Sequence, residues 1–557
     1  MGNLIEDLKN SVKGEVDDSS QTLEKFSRDA SLFRVLPKVI VRPKDAEDVA
    51  GIVRFVLEKK KNGEDVSVTA RSAGTDMSGG PLNNSIILDV TTHLNKLIEL
   101  SDGYAVVEPG MYFRDFDKET KKKNLELPSY TASREICAVG GMVANDSGGE
   151  KNLKYGKTAR YVEELEVVLA DGQVHTLKKL EGDALKEKLA EQSFEGELYR
   201  AVATLLKENY AVIEKGKPHV EKNSSGYALW DIGDPSTTLG ASRIPSLNLA
   251  RLIVGSQGTL GVITKIRFRL VRPQAYSSMA VFFLKDIHDL SVLVPKILAH
   301  KPDSFESYDE HTFSLAVKYF PEFATQLKAG IISLGISFLP ELWMLLTGGI
   351  PKLVLMVEFR ADTQEEALQK AQTLAKEVKT LNLHDGIRIA KNEHTSRKYW
   401  IIRRESFNLL RQKVRGMRAA PFIDDFVVPP LSLAEFLPKL SVILSEYDLT
   451  YTVAGHVGDG NFHIIPLIDP KRPDAKKIIE ELSHKVYDLV LSYNGSISGE
   501  HNDGLVRTPY VEQMFGVEMK KLFEDVKMIF DPENIFNPGK KVGTSFAESA
   551  SRLDLPI

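Results

Sequence analysis

Hydrophobic positions change their period within the first part of the chain. In "VIVRP" (39–43) they run together as a short strand. From Asp45, placed to cap a helix, they move to helical spacing, with Val49, Ile52, Val53 and Val56 on one face. "DVSVTARSAGTDMSGG" predicts a strand entering a glycine-rich turn, and "SIILDVT", "YAVVEPG", "EELEVVLADGQVHTL" and "GVITKIRFRL" predict further strands with short helices between them. Pro273 and Gln274 interrupt the pattern. It restarts with the strand-like "SSMAVFFL" and "LVLMVEF" and with long amphipathic helices such as "TQEEALQKAQTLAKEVKTL". No repeat of 20–50 residues is present. The resulting expectation is an α+β protein: a helical lead-in over 1–35, a first domain over 36–273, a second over 274–530 and a Pro-rich tail over 531–557.

Composition narrows the function. A chain of 557 residues with 42% hydrophobic and 27% charged residues can bury more than one core. A net charge of -5 argues against a nucleic-acid binder, which needs a basic face. Cys137 is the single cysteine, so neither a disulfide nor a cysteine-held iron–sulfur cluster can form within this chain, and redox chemistry would need another cofactor. The start, "MGNLIEDLKNSVKG", lacks an apolar signal-peptide region, and Glu6 stands where an acylation motif after Gly2 wants Ser or Thr. A cytoplasmic protein is expected, with contact to the inner face of a membrane left open. The segment 330–351, "GIISLGISFLPELWMLLTGGIP", is the most apolar stretch, but Pro340 and Glu341 at its centre argue against a spanning helix. Two short packed helices, or an interfacial patch carrying Phe338, Leu339 and Trp343, are the readings left.

Three loops of small residues, each beside a predicted strand, carry the first chemical signal: "ARSAGTDMSGG" (70–80), "AVGGMVANDSGGEKNLKYG" (138–156) and "GSQGTLGVIT" (255–264). Bare backbone of this kind can approach a ligand and cradle phosphate oxygens. None matches GxGxxG or a P-loop. Together they point to an extended, phosphate-containing cofactor.

The second signal is in "AGHVGDGNFH" (454–463) and "SISGEHNDG" (496–504). Turn residues between His456 and His463 let the chain reverse and set both imidazoles on adjoining strands, where Glu500 is a fitting oxygen donor. A His2Glu set with open positions is the pattern of a catalytic divalent site; zinc suits it best, and manganese, iron and cobalt remain open. In an extended segment neighbours point opposite ways, so His501 is expected to face away from Glu500 and to act as base on a substrate hydroxyl.

In order and spacing, "RSAGTDMSGG", "EPG", "VGGMVANDSGG", "YGKTARYVEELEVVLADG" and "GSQGTLGVIT" closely resemble the FAD-binding domain of the vanillyl-alcohol oxidase/p-cresol methylhydroxylase (PCMH-type) flavoproteins. "AGHVGDGNFH", "SGEHNDG" and "FDPENIFNPGK" resemble the C-terminal FAD-linked oxidase domain of the branch with D-lactate and D-2-hydroxyglutarate dehydrogenases and glycolate oxidase subunits. The resemblance implies a flavin domain of two α+β subdomains and a ferredoxin-like α+β substrate domain with an antiparallel sheet. It implies FAD held by Arg71, Ser72, Ala73, Gly74, Thr75, Asp76 and Ser78 in the first loop and by Pro109, Gly110 and Ser133. It adds Gly140, Gly141, Ala144, Asn145, Gly148 and Gly149 in the second loop, Gly258, Gly261, Val262 and Ile263 in the third, and Asn537 in the tail, against the isoalloxazine.

It also implies oxidation of a D-2-hydroxy acid to a 2-oxo acid, with electrons passed to an external quinone or protein. A pattern Trp-x-x-Arg makes Arg403 the cation for the substrate carboxylate, with Arg404 as fallback. Phe407, Ile423 and Ile465 stand where D-2-hydroxyglutarate dehydrogenases carry Thr, Lys and Asn, so either Arg415 or Arg418 replaces them or the substrate is smaller. A non-redox enzyme resembling alkyl-dihydroxyacetone-phosphate synthase and a non-catalytic flavin subunit are the rival readings.

Covalent attachment in the wider family uses a histidine in the first loop. Thr75 stands there and no histidine is near, so the flavin is expected to be noncovalent. Acid or heat denaturation should release all of it into the supernatant; flavin that stays with the precipitated polypeptide would refute this.

Overall fold

The computed structural model describes residues 4–233, 246–318, 349–379, 381, 383, 386–413 and 416–555; side chains at 315, 316, 318 and 405–413 lie outside the description, as does the apolar segment up to 348. Among the described residues no helix is long and apolar enough to cross a membrane.

The first sheet has the order Glu15–Asp17, Val39–Arg42, Ile86–Asp89, Val68–Arg71; the last three strands are parallel and the first pairs antiparallel. Val39–Arg42 and Ile86–Asp89 are almost wholly buried, which is why they read as apolar runs rather than alternations. The helix Ala46–Lys61 covers the sheet with Val49, Ile52, Val53 and Val56, and the Asp45 carboxylate caps it by accepting from the Asp48 N–H at 2.8 Å. The expected helical lead-in over 1–35 is more than that, because Glu15–Asp17 within it extends the sheet.

The second sheet is antiparallel, in the order Leu97–Ser101, Tyr104–Val107, Val262–Arg269, Val162–Val168, Val174–Glu181, Ser246–Asn248. In Val262–Arg269 every second residue is buried, as a sheet covered on one face requires. The helices Phe194–Glu208 and Val511–Phe530 contribute Leu198, Val202, Leu522 and Phe523 to its core.

Among the described residues the third sheet has eight antiparallel strands, with Tyr276–Leu284, Leu353–Ala361, Ser304–Asp309, Thr450–His456 and Asn461–Ile468 adjacent in that order. Helices Leu290–Ala299, Leu433–Ser445 and Ala475–Ser492 pack on one face through Leu293, Leu437 and Val486, and Glu393–Lys413 packs on the other through Tyr399 and Trp400.

The tail runs back to the first sheet. Asn537 N–H donates to Val68 O at 2.9 Å, and Val68 N–H donates to Ile535 O at 2.8 Å. Nearby, Lys541 and Asp503 form an ion pair at 2.9 Å with both side chains fully buried; Lys541 also donates to Ser224 O at 2.9 Å and Asn502 Oδ1 at 2.6 Å. Losing one partner strands a buried charge, which costs about 3–5 kcal/mol. Lys541→Met should lower unfolding free energy in urea by that order; an unchanged denaturation midpoint would refute the assignment.

Candidate active site

The three small-residue loops close around one cavity. The first leaves the C-terminal end of the parallel strand Val68–Arg71, the second enters the helix Val139–Asn145, and the third precedes the strand Val262–Arg269. Of the residues singled out from the sequence, Ser72, Ala73, Gly74, Thr75, Asp76, Pro109, Ser133, Gly140, Gly141, Ala144, Asn145, Gly148, Gly258, Gly261 and Ile263 line it.

Arg71, Ser78, Gly110, Gly149, Val262 and Asn537 are not among the lining residues, and their contacts explain why. Arg71 donates to Phe26 O and Arg28 O at 2.9 and 2.7 Å. The Ser78 hydroxyl donates to Asp76 at 2.8 Å. A Cβ at Gly110 or Gly149 would press on Val90 O or Tyr130 O at 2.0 or 2.2 Å, so these two glycines serve close backbone packing. Val262 belongs to the core under the first sheet. The Asn537 amide is spent: its Nδ2 donates to Gly80 O and Gln257 O at 2.9 and 2.6 Å, while its Oδ1 accepts from Thr69 at 2.9 Å. It ties the first loop to the third from behind.

Glu500 and His501 line the same cavity. The reversal between the histidines is a short 3-10 turn, Val457–Asp459, followed by Gly460 at φ +68°; a Cβ there would lie 1.8 Å from Val428 O, so only glycine fits. His463 pairs with Ala454, and His456 pairs with Asn461. The two imidazoles therefore meet diagonally on one face, with ring centroids 5.2 Å apart.

Three imidazole nitrogens point at one oxygen. His463 Nε2, His456 Nε2 and His501 Nε2 lie 3.2, 3.5 and 3.8 Å from Glu500 Oε1. Their other nitrogens face buried carboxylates: His456 Nδ1 is 2.6 Å from Glu306, and His463 Nδ1 and His501 Nδ1 are 3.1 and 2.7 Å from the two oxygens of Asp424. Carboxylates placed in this way are the partners that orient imidazoles in metal sites generally. Burial works against a charged His463, but Asp424 and Glu500 outweigh it and lift its pKa to about 10. Burial likewise opposes ionised Glu500, and Lys222 with His456 holds it well below the usual carboxylate range.

The opposite facing expected of Glu500 and His501 does not occur. Their segment is not a strand; it curls around Asp425, whose carboxylate accepts from the N–H groups of Gly499, Glu500 and His501 at 2.9, 2.9 and 2.7 Å and from the Ser498 hydroxyl at 2.9 Å. Asp425 lies close enough to His463, Glu500 and His501 to count as a fourth ligand, but its oxygens are saturated by these donors and by Asn461 Nδ2 at 3.1 Å. Asp425 is a brace.

The arginines separate. Arg404 is clamped by Glu150, with Nη2 2.6 Å from both carboxylate oxygens, and stacks over Trp400. Burial resists ionisation of Glu150, yet Arg404 and Arg134 keep its pKa at about 2. Arg403 gives its Nε to Glu306 at 3.2 Å, the same carboxylate that holds His456. Arg418 pairs with Asp554 in the tail at 2.6 Å and is not among the lining residues, and Arg415 lies outside the described residues. Ile423 is fully buried in the second domain's core, whereas Ile465 follows His463 by two residues on the same strand face.

Glu306, Asp424, Asp425 and Lys222 were not picked out from the sequence. The one usable hint was "PFIDDFVV", where two acids interrupt an apolar run and must be buried with partners.

Two family descriptions match this architecture: an FAD binding domain over 37–178 and the C-terminal domain of FAD linked oxidases over 273–541. The chain therefore carries an FAD binding domain and a C-terminal domain like that of FAD linked oxidases. It is 27% identical over 556 residues to a D-2-hydroxyglutarate dehydrogenase of Pseudomonas putida, covering 96% of this chain and 51% of that protein. It is 27% identical to a D-lactate dehydrogenase of Archaeoglobus fulgidus, covering 90% of this chain and 91% of that one. Thus the chain spans about half the length of the first curated relatives it matches, with shares of 51%, 49% and 49%. A solved 4-ethylphenol oxidase from Gulosibacter chungangensis has a TM-score of 0.64 at 16% identity, covering 97% of this chain and 96% of that one; an alkyldihydroxyacetonephosphate synthase has 0.62 at 16%, covering 94% and 82%. These two likenesses establish the shared fold.

The cavity fits the FAD named in the matching domain description. A Cβ at Gly141 or Gly258 would find no protein atom closer than 3.7 or 4.0 Å, so it would occupy the cavity itself. The buried Ser256 hydroxyl, on the lining, has no partner within the described protein. Gly141→Phe should leave the far-ultraviolet spectrum unchanged and reduce flavin retained through purification at least about tenfold; full occupancy in that variant would show that the cofactor lies elsewhere.

Proposed function

We propose that this protein binds FAD noncovalently and oxidises a short D-2-hydroxy acid, of the D-lactate type, to the 2-oxo acid with help from a divalent cation, zinc fitting best, and passes the electrons to an external acceptor. The observation that carries this reading is the border shared by two features: the glycine-lined cavity is flanked by Glu500 and His501, and three imidazole nitrogens converge there on Glu500 Oε1. When bound, the flavin supplies a two-electron acceptor and the cation supplies Lewis acidity to the substrate's hydroxyl and carboxylate oxygens.

His456, His463 and Glu500 are assigned to the cation. His501 is assigned to the hydroxyl proton, taken at Nε2, while Asp424 faces Nδ1 at 2.7 Å and stabilises the imidazolium that forms. Arg403 is assigned to the substrate carboxylate: among the described residues only its Nε is engaged, whereas Arg404 gives both Nε and Nη2 to Glu150. Ile465, beside His463 on the same face, favours a substrate with a short apolar end over one with a second carboxylate. The identity of relatives as D-lactate and D-2-hydroxyglutarate dehydrogenases supports the substrate class. The lone Cys137 gives the chain no cysteine-held relay, so electrons would leave to a quinone or a partner protein.

Anaerobic addition of D-lactate and longer D-2-hydroxy acids to the yellow protein tests the reading. D-Lactate should bleach the flavin band faster than D-2-hydroxyglutarate. No bleaching across the panel would leave a non-redox or subunit role. Arg403→Ala should lower kcat/KM by about 30- to 4000-fold, equivalent to about 2–5 kcal/mol for a lost charged partner. A large loss in Arg404→Ala with Arg403→Ala unchanged would move the carboxylate to Arg404.

A further inference from the structure

Lys222 belongs to the flavin-binding half of the chain, between the helix Tyr210–Gly216 and the second sheet's last strand, and its side chain is fully buried. Nothing in the proposed chemistry uses it. Its Nζ lies 2.8 Å from Glu500 Oε2 and donates to Asn461 Oδ1 at 2.7 Å. Asn461 in turn donates to Asp425 and to Phe426 O at 3.1 Å, so the ammonium sits on a braced platform. The two oxygens of Glu500 are thereby divided: Oε1 faces the three imidazoles, and Oε2 faces Lys222.

We propose that Lys222 is a positioning residue that makes Glu500 a one-oxygen ligand. It rests on the cation reading given above. A carboxylate free to turn can bind a divalent ion through both oxygens and fill a position that the substrate's hydroxyl or carboxylate needs. With Oε2 held 2.8 Å from an ammonium, only Oε1 is left for the cation, and the coordination sphere keeps room for substrate. Because Lys222 and Glu500 lie on opposite sides of the domain junction, correct ligation also requires the two domains to be packed.

The test loads metal-free, FAD-containing protein with cobalt(II) and reads its visible spectrum and affinity. Lys222→Met should retain flavin and show a weaker visible band, since a second carboxylate oxygen raises the coordination number. Glu500→Gln should bind cobalt at least roughly tenfold more weakly, because its amide N–H group must face the ammonium if its oxygen faces the ion. The double variant Lys222→Met, Glu500→Gln should recover most of that affinity. If Lys222→Met does not fold, Lys222→Gln, which keeps a polar end but carries no charge, serves in its place. An unchanged cobalt band in the lysine variant, or no recovery in the double variant, overturns the role of Lys222 alone. Wild-type protein that binds no cobalt overturns the cation reading and this inference with it.

Discussion

A buried carboxylate with nowhere to go governs this site. Asp425 is held by the backbone N–H groups of 499–501, the Ser498 hydroxyl and Asn461, with His501 and Arg507 adding favourable charge nearby. Charge-assisted bonds of this kind are roughly twice as strong as neutral ones, and removing their acceptor would leave several buried donors unpaired. The segment must therefore wrap around Asp425, and that wrapping brings two neighbouring side chains, Glu500 and His501, to the same cavity.

Around that brace the acids and bases are arranged in pairs with divided work. Glu306 spends one oxygen on His456 and the other on Arg403; Asp424 spends one on His463 and the other on His501. Each carboxylate thus couples a residue assigned to the cation with one assigned to the substrate. A shift of either acid would disturb both assignments together, which is how shared, rigid carboxylate partners make a site cooperative.

How far could this be read from the sequence? Period-based elements such as Ala46–Lys61 were legible because their faces and cap are encoded locally. The glycine loops were legible because bare backbone next to strands is unusual without a ligand. The placement of His456 and His463 on adjoining strands followed from turn residues. What failed was the alternation rule at Glu500 and His501, since it presumes a strand, and the segment is shaped instead by an acid 75 residues away. Asn537 was expected against the flavin ring; three hydrogen bonds to distant backbone and side-chain atoms set its place behind the loops. Partners remote in sequence leave no periodic trace.

The amide of Asn537 bonds to Thr69, 468 residues earlier, and bridges the carbonyls of Gly80 and Gln257. During synthesis the loops that cradle the cofactor emerge first, while the side chain that fastens them together emerges hundreds of residues later. The nascent flavin domain must therefore wait with this seam unstitched, its buried carbonyls exposed to water. Cofactor capture is then coupled to synthesis of the segment that carries Asn537, and a ribosome stalled within the second domain would leave a flavin cradle that can form its strands but cannot close.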